Sequence, residues 1–179
     1  MMAAPDWQIL ELGHPLLREQ AKPVAHIESA ETQQLLDDLL VFVSQKRGMG
    51  IAAPQVGISK QIFIMCSHPN QRYPNAPVMQ PTCVINPEIV QLTGKTEKDW
   101  EGCLSIPGLR ALVPRAETVQ VRYFTRDGKK VETTYSGFLA RLFQHEFDHL
   151  KGRLFIDHAE STLDIMTEKQ WRQAILGED

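Results

Sequence analysis

The sequence predicts an α+β fold in which mainly antiparallel β-sheet packs around one helix late in the chain, with further N-terminal and C-terminal helices. Apolar residues recur at helical spacing in three segments, 30–46, 138–151 and 161–176. Between these segments, short apolar or alternating runs are separated by turn signals, which is typical of strands joined by hairpins. The chain has 179 residues, and we expect 1–179 to form a single domain.

The composition is that of an ordinary globular protein and argues against several classes of partner. A formal net charge of −3 gives no strong attraction to nucleic acid or to an anionic membrane. The apolar run at 39–43 is too short to span a bilayer, and the N-terminal residues lack the features of a signal peptide. Three cysteines without the spacing of a disulfide scaffold favour a reducing compartment, so we expect a cytoplasmic protein.

The first half of the chain predicts one helix, a shaped loop and one buried strand. Ser29 is the predicted N-cap of the helix, and Gly48 lies where the helix can end. The loop is GMGIAAPQVG at 48–57, because three glycines and a proline disfavour regular structure. QIFIMC at 61–66 reads as the strand, and the four prolines of 67–82 predict a surface excursion. The apolar stripe of the helix consists of Leu35, Leu36, Leu39, Leu40 and Val43.

The second half predicts further strands before the late helix. VINPEIVQLTG and KTEKDWEGCLS, which together span 84–105, suggest two strands interrupted by Pro87 and Gly94. TVQVRYF and KKVETTYS flank Asp127 and Gly128, and an Asp-Gly pair between alternating runs is a strong hairpin signal.

The late helix carries a pattern that can bind a metal, LFQHEFDHLKG. Residues four apart lie on one face of a helix, so the two histidines of the pattern come from successive turns and can bind one divalent cation. Glu146 between them can act on a water bound to that ion. Gly152 is the predicted end of the helix. One stripe of the helix contains Phe138, Leu142, His145 and His149.

A hydrolytic site of this kind needs a third protein ligand and an open position for water. The position six residues after the second histidine is Phe155, which cannot ligate, and His158 comes three residues too late. Glu160 or Glu168 could serve from a later helix. Cys103 in EGCLSIPG is the upstream alternative, because a thiolate is a strong ligand for zinc or ferrous iron.

Three motifs taken together resemble the peptide deformylase family of bacterial type. GIAAPQVG, EGCLSIPG and QHEFDHLKG are similar to the three motifs of that family and occur in the same order. HPLLREQAKPV and ALVPRAE also resemble family segments. The resemblance extends from about residue 8 to about residue 158.

The resemblance implies a metal-dependent hydrolase that removes the N-formyl group from the formyl-methionine of nascent polypeptides and releases formate. Cys103, His145 and His149 would bind one divalent metal, with Fe²⁺ expected and Zn²⁺, Ni²⁺ or Co²⁺ as replacements. Glu146 would be the general acid and base, and a metal-bound water the nucleophile. The implied stabilisers of the developing oxyanion are the side chain of Gln55 and the backbone N–H of Leu104.

The residues of the three motifs and of the helix stripe also predict how the substrate binds. We expect Gly50–Ile51 and the strand near Gly102 to pair with the peptide backbone like an added strand. A basic group, for which we suggest Arg115, would pair with Asp148, and Glu101 would have a structural role. The predicted methionine pocket is lined by Ile51, Trp100, Phe138 and Leu142, with Arg141 at its rim.

The implied partners are formyl-methionine N-termini, with a possible transient ribosome contact. We expect no direct nucleic-acid recognition, no membrane contact and a monomer. Two other functions fit the histidine pattern alone. A metallopeptidase of another family would use Glu160 or Glu168 as ligand and would keep its metal in Cys103→Ala. A non-enzymatic, metal-stabilised module would be unaffected by Glu146→Ala.

Overall fold

The computed structural model describes residues 5–178, which form a six-stranded antiparallel sheet and three helices. The predicted α+β class with mainly antiparallel pairing is therefore confirmed. The helices are α1 (Ala30–Gln45), α2 (Gly137–Leu150) and α3 (Glu168–Trp171). The strands are β1 (Gly50–Ala52), β2 (Ile62–Met65), β3 (Thr82–Cys103), β4 (Ile106–Phe124), β5 (Lys130–Ser136) and β6 (Ile165–Thr167).

The strands lie in the order β1-β2-β3-β4-β5, and β6 pairs with the first part of β4. Every pairing between these strands is antiparallel, so short connections suffice between neighbours. The hairpin predicted at Asp127-Gly128 is confirmed, because β4 and β5 pair on either side of it. Within residues 5–178, β1 has only β2 as a strand neighbour, so its other side is a sheet edge.

The two strands predicted within 84–105 are one continuous strand, β3. Pro87 and Gly94 interrupt the register and not the strand: pairing with β4 shifts between Ile85 and Glu88 and again between Thr93 and Thr96. Such β-bulges accommodate a residue that cannot join the ladder and bend the strand locally. The prediction of two separate strands was therefore wrong.

The predicted N-terminal helix is confirmed, and it begins where its cap requires. The Ser29 side chain accepts a hydrogen bond from the Thr32 backbone N–H, which would otherwise lack a partner in the first turn. The helix ends at Gln45, and the Gly48 N–H then bonds the Val43 carbonyl. The buried side chains of α1 are Thr32, Leu35, Leu36, Leu39, Phe42 and Val43.

Helix α2 packs its apolar face on the sheet, within one residue of the predicted bounds. Phe143 is fully buried and meets Phe63 of β2 edge-to-face at 5.2 Å. Gly152, at φ +69°, follows the helix at a close approach to the N-terminal segment. A Cβ there would lie 2.6 Å from the carbonyl carbon of Arg18, so only glycine fits.

The C-terminal helix predicted at 161–176 was wrong in its first half. Residues Thr162–Asp164 form a 3₁₀ turn and Ile165–Thr167 form β6, which pairs with Leu109–Ala111 of β4. Tertiary pairing with an available strand overrides the helical spacing. Helix α3 then begins at Glu168, and a π-helical turn continues it over Arg172–Leu176.

The glycine-rich loop and the proline-rich excursion have the predicted character. The loop contains the three-residue β1 and the 3₁₀ turn Ala53–Val56, and it turns at Gly57 with φ +86°. Residues 67–81 form no helix or strand. Among residues 5–178, no helix is both long enough and apolar enough to cross a bilayer.

Candidate metal centre

Cys103, His145 and His149 converge from two elements. Their candidate ligand atoms all lie within 4.8 Å of one another, and Cys103 Sγ is 3.4 Å from His149 Nε2. Cys103 ends β3 and pairs with Ile106 across the two-residue turn Leu104–Ser105, so the hairpin fixes the position of the sulfur. The histidines come from successive turns of α2.

The donor set suits a divalent transition metal. Ligands to such an ion lie about 2.0–2.3 Å from it, which a cluster of this size allows. Burial alone would raise the pKa of the Cys103 thiol, but His149 and His145 hold it well below its ordinary value. A lowered pKa favours the thiolate, which is the form that binds metal. Within residues 5–178 no other group of three His, Cys, Asp or Glu side chains converges in this way.

Glu101 orients the His145 ring through a contact with Nδ1. His145 Nδ1 lies 2.7 Å from Glu101 Oε1, which leaves Nε2 free for the centre. Glu101 is only 4% exposed. Arg115 Nε donates to its Oε2 at 2.9 Å, and Arg115 Nη2 donates to its Oε1 at 3.0 Å. Burial alone would raise the pKa of Glu101, but Arg115 and His145 hold it below its ordinary value. Glu101 is thus ionised, and it fixes which nitrogen of His145 faces Cys103.

The predicted pairing of Arg115 with Asp148 is confirmed. Arg115 Nη1 donates to Asp148 Oδ2 at 2.5 Å, and His158 Nε2 lies 2.7 Å from the same oxygen. This chain of contacts ties α2 to β4 beside His149.

Glu146 lies in the wall of the cavity with a free carboxylate oxygen. Its side chain is buried, and Oε2 has no hydrogen-bond partner among the residues that the structure describes. Burial raises the pKa of Glu146 to about 7. Gly50 makes room for this carboxylate, because a Cβ there would lie 2.8 Å from Glu146 Cδ. A carboxyl group with such a pKa can both accept and return a proton near neutral pH.

Gln55 has a fixed amide orientation. Its Oε1 accepts from the Ala52 backbone N–H at 2.9 Å, so Nε2 must point the other way. Nε2 donates to Ser105 Oγ at 3.1 Å and lies 3.4 Å from Cys103 Sγ. Gln55 therefore presents a donor at the edge of the ligand cluster, and it also caps the 3₁₀ turn that follows β1.

A cavity of about 240 Å³ opens from the ligand cluster. Most of the predicted site residues lie in its wall. They are Gly50, Gln55, Trp100, Gly102, Cys103, Leu104, Phe138, Arg141, Leu142, His145 and Glu146. The ligand cluster therefore adjoins a space with both polar and apolar walls.

Ile51 is outside the cavity wall formed by the described residues. Its side chain is fully buried in the core cluster that includes Leu36 and Leu39 of α1. Successive residues of a strand point to opposite faces, so Gly50 faces Glu146 while Ile51 faces α1. The pocket-lining prediction for Ile51 was wrong.

The structure adds wall residues that the sequence reasoning missed. Tyr73, from the proline-rich excursion, packs its ring on Phe138 at 5.3 Å and accepts a hydrogen bond from Arg110 at 2.9 Å. The sequence offers one indication of this role, an aromatic residue within a segment of four prolines. That indication does not predict which surface the Tyr73 ring packs against. Further wall residues are Asn70, Arg72, Arg110 and Glu168.

The two glutamates considered as third ligand have other partners. Glu160 pairs with Lys98 at 2.6 Å, and Glu168 pairs with Arg72 at 3.0 Å. Neither belongs to the converging group, so the ligand sets that require them are not formed.

Comparison with known proteins agrees with this geometry. The family described as polypeptide deformylase matches residues 7–164. "Peptide deformylase 2" of Nostoc sp. is 49% identical over 167 residues, which are 93% of this chain and 93% of the relative.

Solved structures share the fold. One is a class I type b peptide deformylase from Acinetobacter baumannii with Met-Ala-Ser bound, at 42% identity and a TM-score of 0.84, covering 88% of this chain and 99% of that one. Another is a Synechococcus elongatus peptide deformylase in complex with actinonin, at 38% identity and a TM-score of 0.80, covering 91% and 84%. The chain therefore belongs to the peptide deformylase family of bacterial type, metal-dependent hydrolases that remove the N-formyl group from nascent polypeptides.

Proposed function

We propose that Cys103, His145 and His149 hold one Fe²⁺ ion and that Glu146 moves the protons of deformylation. The observation that carries the proposal is the convergence of three donor side chains beside a buried carboxylate with a free oxygen, at the wall of one cavity. When bound, such a metal ion supplies a Lewis acid that polarises the formyl oxygen and acidifies water. The donors suit iron and zinc alike; iron is proposed from the family resemblance.

Glu146 is the base and then the acid. It takes a proton from the water that attacks the formyl carbon, and the carbonyl electron pair moves onto the formyl oxygen. When the C–N bond breaks, the amine leaves with a proton returned by Glu146, and the products are formate and a free N-terminus. The ordinary contribution of such a residue is about 10²–10⁴-fold in rate.

Gln55 and Leu104 stabilise the negative charge on the formyl oxygen. The Gln55 amide is already held with Nε2 toward the ligand cluster, so it need not reorganise during the reaction. The backbone N–H of Leu104 would be the second donor, at the turn beside Cys103. Removing one such donor from other enzymes costs about 3–4 kcal/mol of transition-state stabilisation.

The peptide substrate binds along the edge of β1 that has no strand neighbour within residues 5–178. Gly50 in β1 and Gly102 in β3 line the same cavity, and a peptide between them would be recognised through its backbone. Trp100, Phe138 and Leu142 form the apolar wall for the methionine side chain. The Met-Ala-Ser peptide bound to the Acinetobacter baumannii relative is the same class of ligand. We further propose a cytoplasmic monomer that meets its substrate beside the ribosome.

The test is formate release by protein purified without oxygen and analysed for metal. We expect formyl-Met-Ala-Ser to be hydrolysed and acetyl-Met-Ala-Ser to be resistant, because the acetyl group adds a methyl at the reacting carbon. Glu146→Gln should lower kcat by about 10²–10⁴-fold while the bound metal is retained. Cys103→Ala should lose the metal. Wild-type rates in Glu146→Gln would show that this carboxylate is not the proton carrier.

A further inference from the structure

Helix α2 presents a polar stripe to the β3–β4 hairpin, and two of its residues, Arg141 and His145, also line the cavity. The stripe consists of Arg141, Gln144, His145 and Asp148, whose spacing of three, one and three residues places them on one face. Gln144 Nε2 donates to the Ala116 carbonyl at 2.9 Å, and its Oε1 accepts from the Ala116 N–H at 3.2 Å. We call these four residues the polar seam.

Arg141 makes the most extensive contact of the polar seam with β3. Its Nη1 donates to Glu101 Oε2 at 2.8 Å and to the Val113 carbonyl at 2.7 Å, and its Nη2 donates to the Glu97 carbonyl at 2.8 Å. The Arg141 side chain is 11% exposed, so water competes little for these bonds. One guanidinium therefore joins α2 to both strands of the hairpin.

The carboxylate of Glu101 divides its contacts between two oxygens. Oε2 accepts from Arg115 and Arg141, whereas Oε1 accepts from Arg115 and faces His145 Nδ1. Arg115 is itself shared with Asp148. Without Arg141, Oε2 keeps only the bond from Arg115 Nε, and the carboxylate loses its one direct link to α2 besides His145. Glu101 can then shift together with Arg115 and carry Oε1 away from the imidazole.

We propose that Arg141 is a positioning residue for the metal ligand His145. By anchoring Glu101 Oε2 to the hairpin, it holds Oε1 where it receives the Nδ1–H of His145 and keeps Nε2 directed at Cys103 and His149. Partners of ligating histidines tune metal affinity in this way. The inference rests on the proposed function and goes beyond the pocket-rim role that the sequence predicts for Arg141.

The fork of the guanidinium, and not its charge alone, is the feature that matters. A lysine at 141 would keep a positive charge, but its single nitrogen cannot meet a carboxylate and two carbonyls with the same planar geometry. Arg141→Lys and Arg141→Met should therefore both weaken the site. Arg122 offers a matched control: it also makes three hydrogen bonds, to Glu132 and Glu88, on the exposed side of β4.

The experiment measures metal affinity without substrate, by competing a chelator against Zn²⁺ or Co²⁺ in the full chain. We expect the metal affinity of both Arg141 variants to be about tenfold to hundredfold weaker than that of the wild type. The metal affinity of Arg122→Met should be unchanged. The visible spectrum of the Co²⁺ form should change in the Arg141 variants, and at saturating metal kcat should fall while KM stays within about twofold. Thermal unfolding of the metal-free proteins identifies any variant that is simply unfolded.

Two results would overturn the proposal. If both Arg141 variants bind metal like the wild type while KM for formyl-Met-Ala-Ser rises, Arg141 is a cavity-wall residue only. If Arg141→Lys alone retains wild-type affinity, the fork is unnecessary and charge suffices. A wild-type protein that binds metal but releases no formate would contradict the proposed function, and the chelator competition would still decide the role of Arg141.

Discussion

At the scale of single residues, the most constrained position beside the proposed catalytic carboxylate is a glycine. Gly50 stands in β1, and its missing side chain leaves the space that the Glu146 carboxylate occupies. An alanine Cβ would lie 2.8 Å from Glu146 Cδ, but the end of a flexible side chain can move where backbone cannot. The fold should therefore tolerate a substitution that the chemistry does not.

We predict that Gly50→Ala lowers kcat on formyl-Met-Ala-Ser by about 10²-fold, because Glu146 is displaced from the reacting water. Metal content and thermal unfolding should remain close to the wild type. Gly48→Ala, in the same cavity wall, is the control: its Cβ would meet Val43 at 3.1 Å and the Gly50 carbonyl oxygen at 3.3 Å, and Glu146 is not among its nearest contacts. Equal losses in the two variants would assign the effect to the peptide-binding edge and not to the carboxylate.

The residue scale also shows what the sequence reveals and what it conceals. Spacing on α2 is enough to predict that two histidines share a face, and the structure places them with Cys103. The proposed positioning role of Arg141 could not be predicted, since two of its three acceptors are backbone carbonyls, one on β3 and one on β4. Every residue type has a backbone carbonyl, so the sequence does not indicate which carbonyls accept these bonds.

At the scale of elements, α1 depends on one side chain at its start. Ser29 accepts from the Thr32 N–H, and its own hydroxyl donates to the His26 carbonyl. We predict that Ser29→Ala lowers the free energy of unfolding by about 1 kcal/mol without changing kcat, because the first turn of α1 loses its cap. Urea unfolding measures the change. Ser44→Ala, near the other end of the same helix, should be within about 0.5 kcal/mol of the wild type.

Element boundaries were predictable where local signals decide them and not where pairing does. The Ser29 cap and the Asp127-Gly128 turn act within a few residues, and both are found as predicted. β3 runs through Pro87 because β4 supplies a partner on both sides of the bulge. Likewise Ile165–Thr167 becomes a strand because Leu109–Ala111 offers an edge that the sequence alone does not locate.

At the scale of the whole molecule, the C-terminal segment closes the far wall of the cavity. Glu168 opens α3 and pairs with Arg72 of the proline-rich excursion at 3.0 Å. The Arg110 guanidinium lies 4.6 Å from the Trp171 ring centroid and donates to the Tyr73 hydroxyl. Three segments distant in sequence thus meet at one side of the cavity.

The Glu168 carboxylate joins the segments of this wall through its ion pairs with Arg72 and Arg110. Loss of its charge should therefore weaken substrate binding. We predict that Glu168→Gln raises KM for formyl-Met-Ala-Ser by about fivefold with less effect on kcat, equivalent to about 1 kcal/mol for a partly exposed ion pair. Glu178→Gln removes an ion pair with Arg172 outside the cavity wall formed by residues 5–178 and should leave KM unchanged. A fall in kcat at constant KM would contradict the proposed wall.

The same contact predicts a pH dependence of stability with a definite sign. Burial alone would raise the pKa of Glu168, but Arg110, Arg72 and Arg172 hold it below its ordinary value of 4.5. A carboxyl group whose pKa is lowered by folding binds its proton more weakly in the folded state, so its stabilisation is present above pH 4.5 and is lost as the pH falls below it. The wild type should therefore unfold at a higher temperature than Glu168→Gln at pH 7, and the difference should shrink toward pH 3. A difference that stays constant over this range would mean that Glu168 acts through packing and not through its charge.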